Sequence, residues 1–121
     1  MAVQNYQDLI VWQKAMELAE KVYIVTKKLP KEEIYSLTNQ MRRAVVSIPS
    51  NIAEGHSRNS KKEFIQFLSI ARGSKAELET QVLLCVKICY LCEADILEIM
   101  LLLQEIGKML FALINKLRGR E

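Results

Sequence analysis

Cys85, Cys89 and Cys92 are the residues whose type and spacing most readily suggest chemistry in this chain. Radical S-adenosylmethionine enzymes hold an iron–sulfur cluster with the same three-then-two spacing, but on a loop and with an aromatic residue just before the last cysteine. Here Leu91 stands in that place, Tyr90 comes one residue early, and the apolar spacing around them predicts a helix. Free cysteine is among the most buried residue types, so the three thiols are expected in a core, with no metal and no cofactor. His56, the one histidine, has no serine, cysteine or carboxylate partner that spacing can assign, and reads as an exposed loop residue. Glu32 and Glu33 read as helix-start charges, while Glu77 and Glu79 point in different directions on one helix. There is no glycine-rich phosphate loop. No reaction is specified, and the chain reads as a non-enzyme with no catalytic residues.

The cations offer a different chemistry. Formal charge is +3, but residues 40–75 hold seven Lys/Arg against two Glu, a local net of +5, against ten and twelve elsewhere, a net of −2. Arg42, Arg43, Arg58, Lys61, Lys62, Arg72 and Lys75 are therefore the candidate phosphate-binding residues. Arg58, Lys61 and Lys62 would lie together at a turn, and an oligomer would repeat them. Base stacking is not expected, because the few aromatic residues fall mainly on inward faces.

Helices must position these groups. In 121 residues, half of them apolar, with four Gly and two Pro, no stretch alternates long enough to suggest a sheet. The class is all-α, one domain over residues 8–118, with flexible ends at 1–7 and 119–121. The first helix is expected over about residues 8–28, with Leu9, Trp12, Ala15, Met16, Ala19, Val22 and Tyr23 inward. Pro30 suits the first position of the second helix, and the tight link makes the first two helices antiparallel neighbours.

On that second helix Leu37, Met41, Ala44, Val45, Ile48 and Ile52 form an apolar stripe beside a polar one of Gln40, Arg43, Ser47, Asn51 and Glu54. Gln40, Ser47, Asn51 and Glu54 are expected to form a structural polar network, Glu54 gaining a partner among Arg58, Lys61 and Lys62. Pro49 should bend the helix and Gly55 should stop it in a left-handed conformation. Ser60 to Glu63 makes a capping box for a third helix that ends near Cys92. Folding the two helices about the turn would set Ala44 against Ala71 and Gln40 level with Lys75. The fourth helix, about residues 95–117, is apolar in nearly every direction, which implies a second covered surface and hence a homo-oligomer. Its most apolar stretch is too short and too charged to span a bilayer, and no secretory signal is visible, so a cytoplasmic protein without membrane contact is expected.

Residues 8–15 (Asp-Leu-Ile-Val-Trp-Gln-Lys-Ala), 40–44 (Gln-Met-Arg-Arg-Ala) and 47–55 (Ser-Ile-Pro-Ser-Asn-Ile-Ala-Glu-Gly), with Glu63, Phe64, Gly73, Ser74, Glu77 and Leu78, resemble the 23S rRNA intervening-sequence protein family. The resemblance implies an antiparallel up-down-up-down four-helix bundle assembling into a ring, a pentamer, and brings no catalytic residues with it. A similar bundle pentamer, the accessory protein of diversity-generating retroelements, binds a reverse transcriptase and nucleic acid. The expected function is a non-enzymatic adaptor for RNA or DNA, with itself and a protein such as a reverse transcriptase as further partners. The alternative is a protein-interaction scaffold with no nucleic-acid role.

Overall fold

A computed structural model describes residues 5–119, and among them there are four α-helices and no strand. The helices are α1 (Ile10–Val25), α2 (Leu37–His56), α3 (Lys61–Lys87) and α4 (Glu93–Leu117). Residues 1–4 and 120–121, which include most of the expected flexible ends, lie outside the described residues. From Asn5 onward the lead-in is a 3-10 turn, Tyr6–Asp8, rather than the frayed segment expected to residue 7: the Asn5 side chain accepts the Gln7 N–H, and the Tyr6 ring meets Trp12 edge-on at 5.4 Å.

All four helices share one core, in which Leu18, Met41, Ile48, Ile52, Leu68, Leu78, Leu103, Ile106 and Leu110 are fully buried. The apolar stripe of α2 is as the periodicity predicted, with Met41, Ala44, Val45, Ile48 and Ile52 all buried. On α1 the inward face is Val11, Ala15, Leu18, Val22 and Val25, rotated from the expected one, and Met16 and Tyr23 are exposed. Both stripes have helical spacing. The aliphatic one can be buried completely, whereas tyrosine carries a hydroxyl that favours the edge of a core.

Pro30 does not open α2. It precedes a 3-10 turn, Lys31–Glu33, and α2 begins only at Leu37. Between them the Glu33 carboxylate accepts the Ser36 hydroxyl, the Leu37 N–H at 3.3 Å and the Tyr90 hydroxyl at 2.8 Å, tying the start of α2 to the connection between α3 and α4. These bonds, the Ser36 hydroxyl first, hold the Glu33 carboxyl below the usual range, and the same carboxylate pushes the Tyr90 hydroxyl up.

Gly55 is not the stop of α2 either. The helix continues through it to His56, and the left-handed residue of the turn is Asn59, with φ 55°. Gly55 serves close packing instead: a Cβ there would stand 2.6 Å from the Cβ of Phe67 and 3.1 Å from the Phe64 ring. Because α2 runs on, the turn is centred later in the chain and α3 is displaced from the expected register. Ser47 meets Ser74, hydroxyl to hydroxyl at 2.8 Å, and the Cys85 thiol lies 3.6 Å from the sulfur of Met41. Gln40 shares a cleft with Ser74 and Glu77, while Lys75 turns towards α4.

Ser60 caps α3, accepting the Glu63 N–H at 3.2 Å, but the expected box is half made, since the Glu63 carboxylate pairs with Arg58 at 3.7 Å. The helix ends at Lys87, short of Cys92, because Cys89 adopts φ 67°. The Cys89 N–H bonds the Val86 carbonyl at 3.1 Å and the Tyr90 N–H bonds the Cys85 carbonyl at 2.8 Å, a Schellman stop with cysteine where glycine is usual. Asp95 then accepts the Cys92 N–H at 2.9 Å and starts α4.

Candidate nucleic-acid interface

The seven predicted cations occupy five different environments. Arg42 is a clamp between α1 and α2, its Nε donating to the Thr26 hydroxyl at 3.0 Å and its guanidinium lying 4.7 Å from the centre of the Tyr23 ring. Arg58 folds back on its own helix end. It pairs with Glu54 at 2.8 Å and with Glu63 at 3.7 Å and covers the Phe67 ring, and the bond to Glu54 raises its already high pKa. Arg43 is exposed in the cleft between α2 and α3. Lys61 and Lys62 are exposed on the first turn of α3, where the macrodipole disfavours positive charge, so helix stability does not account for them.

Arg72 and Lys75 converge with residues of α4 that the sequence reading did not select. One cleft is lined by Arg72, Lys75 and Ala76 from α3 and by Gln104, Gly107, Lys108 and Phe111 from α4. The Arg72 guanidinium lies 5.8 Å from the centre of the Phe111 ring, and Phe111 is 55% exposed. Lys75 lies across Gly107, where a Cβ would come within 3.1 Å of its Cε and Nζ. Among the described residues one carboxylate pairs with this set, Glu79, 3.7 Å from Lys75. The other side of α4 is arranged differently. Lys14 meets Glu105 at 3.6 Å, Lys21 meets Glu98 at 2.7 Å and Lys28 meets Asp95 at 2.6 Å. Asp95 is held down to about 2, first by the Cys92 N–H and then by Lys28, while Lys21 and Lys28 are raised by their partners.

The polar stripe of α2 is divided. Ser47 and Asn51 form a compact network with Ser74, the Asn51 amide donating to the Ser47 carbonyl at 2.7 Å and to its hydroxyl at 2.8 Å. Glu54 has the Arg58 partner expected of it, but Gln40 and Arg43 are exposed. The three cysteines are not all in the core, as expected of them: Cys85 is buried, with its thiol pushed up by that burial, but Cys89 and Cys92 are exposed in the connection to α4, because α3 stops before them. Among the described residues no three His, Cys, Asp or Glu side chains are grouped to hold a metal. His56 is not an exposed loop residue. It closes α2, half-buried, with its ring edge-on to Phe64 at 5.7 Å.

No helix among the described residues is long and apolar enough to cross a membrane. No curated protein matches the chain. A crystal structure of a protein of unknown function from the S23 ribosomal protein family of Bacteroides thetaiotaomicron VPI-5482 is similar to it, with a TM-score of 0.80 and 28% identity. That likeness covers 88% of this chain and 96% of the other. The model of the 23S rRNA-intervening sequence protein family matches residues 7–112, from the 3-10 turn before α1 to the last turns of α4. The chain is thus a member of the 23S rRNA-intervening sequence protein family.

Proposed function

We propose that this protein is a non-enzymatic, cytoplasmic adaptor for nucleic acid, RNA in the first place, and that it binds phosphates along the face shared by α3 and α4. The observation that carries this reading is the unbalanced charge of that face, where Arg72, Lys75 and Lys108 have Glu79 among them as a paired carboxylate. Cations held together in excess of their counter-charges create a local positive potential that attracts polyanions. Lys61 and Lys62, on the same helix as Arg72 and Lys75, extend the charge towards the turn after α2. Arg58 contributes less, since Glu54 and Glu63 already neutralise it.

The helices run up-down-up-down and antiparallel in this reading. The ion pairs of α4 with α1 and with the 3-10 turn Thr26–Lys28 that follows it support that topology, because their partners climb α4 as they descend towards the start of α1. A homo-oligomeric ring, a pentamer, agrees with the exposure of Leu97 and Leu101 on α4 and of Leu83 on α3, which lie beyond the end of the cationic cleft and which one subunit leaves uncovered. Repetition around a ring would multiply a weak phosphate site into useful affinity.

Fluorescence anisotropy of labelled RNA against the purified protein at two salt concentrations tests the proposal. Binding that weakens steeply with salt, and is lost in an Arg72→Glu/Lys108→Glu variant, is the expected result. Failure to bind at low salt would remove the nucleic-acid role and leave a protein-interaction scaffold, to be pursued through its protein partners.

A further inference from the structure

The cleft between α3 and α4 contains more than charge. Phe111 stands more than half exposed beside three cations, and the Arg72 guanidinium covers one side of its ring. The Gln104 amide, which can both donate and accept, lines the same cleft. Phosphates alone would need the cations and nothing else. A duplex keeps its bases stacked inside and presents phosphates outside, so an exposed ring in the floor of a cationic cleft adds nothing to duplex binding. An unpaired nucleotide, by contrast, can set its phosphate on the cations and its base against an aromatic face or a guanidinium plane.

Space in the cleft is arranged accordingly. Gly107 has no side chain where Lys75 crosses α4, and a Cβ at that position would crowd the end of the lysine. The Lys75 ammonium thereby lies over the α4 backbone, in the same cleft as Phe111. Glu79, at 3.7 Å, leaves Lys75 free to donate elsewhere.

We infer that this cleft is a subsite for single-stranded nucleic acid, in which Phe111 and Arg72 hold an unpaired base while Lys75 and Lys108 hold the neighbouring phosphates. The inference rests on the nucleic-acid reading above and narrows it to unpaired strands. A short labelled single strand carrying 2-aminopurine, and the same strand annealed to its complement, are the probes. They are titrated with the full chain and with Phe111→Leu, which keeps an apolar side chain but removes the aromatic face.

The unaltered protein should bind the single strand more tightly than the duplex and quench the 2-aminopurine signal. Phe111→Leu should lose about five-fold or more in single-strand affinity, together with the quenching. Its salt dependence and thermal midpoint should be unchanged, because the cations remain and the residue is exposed. Equal affinity for duplex and single strand, or a Phe111→Leu variant that binds and quenches like the unaltered protein, would overturn the inference while leaving salt-sensitive binding intact. Absence of binding to either probe at low salt would overturn it together with the nucleic-acid reading.

Discussion

Along its seam with α1 and the 3-10 turn Thr26–Lys28 that follows it, α4 sets a carboxylate against each of three lysines, Glu105 against Lys14, Glu98 against Lys21 and Asp95 against Lys28. Along its seam with α3, Arg72, Lys75 and Lys108 gather round Phe111 with Glu79 as the paired carboxylate among the described residues. The two seams flank one apolar ridge of Ile99, Leu103, Ile106 and Leu110, so both helix contacts have the same hydrophobic support. Their charges therefore have different consequences. The paired seam cancels its own field and helps fix helix register. The other, with three cations to one paired carboxylate, projects a positive potential outward, which folding does not require and an external anion can use.

The largest effect should come from breaking both seams at once. Leu103 is fully buried beneath α4, and Leu103→Ala should reduce the unfolding free energy by about 2–5 kcal/mol in a denaturant titration. A negligible loss would mean that α4 is held by its surface charges, and the distinction between the seams would fail.

Acid sharpens the contrast through Asp95, a carboxyl of the paired seam that the Cys92 N–H holds down first and Lys28 second. The Asp95 carboxyl is lowered from 3.8 to about 2, so its stabilising contribution is complete above its unfolded value and is lost as pH falls through the folded one. Thermal midpoints should therefore fall between about pH 4 and pH 2. Asp95→Asn should be less stable at neutral pH and flatter across that window. Parallel profiles for the two proteins would contradict the assignment.

The smallest effect belongs to the α3 seam. Glu79→Gln removes its paired carboxylate and should tighten RNA binding by about two-fold, with a steeper salt dependence. Weaker binding in the anisotropy titration would mean that Glu79 positions Lys75 rather than opposing the ligand.

What could be read from the sequence follows from which residue patterns are unambiguous. The stripe of α2 was legible because Met41, Val45, Ile48 and Ile52 are flanked by polar residues, so one face alone could be buried. The Ser60 cap was legible because its signal is local. Gly55 was misread because glycine serves left-handed turns and close approaches equally well, and the approach of Phe67 is a long-range fact. The end of α3 was hidden because Cys89 takes a conformation in which cysteine is uncommon. Phe111 was hidden for another reason. α4 is apolar in so many directions that periodicity cannot say which residues face solvent, and the cleft needs Arg72 and Lys75 from a second helix before Lys108 and Gln104 stand out.

The salt dependence of RNA binding, measured for two variants with the same net charge, tests the central claim most directly. Arg72→Gln/Lys108→Gln removes two cations from the α3 seam, and Lys14→Gln/Lys21→Gln removes two from the α1 seam. If the α3 seam holds phosphates, the first variant should lower the slope of log K against log salt by about 1.4, from about 0.7 for each phosphate contact on a single strand. The second should leave the slope as it is in the unaltered protein. Equal losses in the two variants would show that the protein responds only to net charge, and that the seams of α4 do not differ in function.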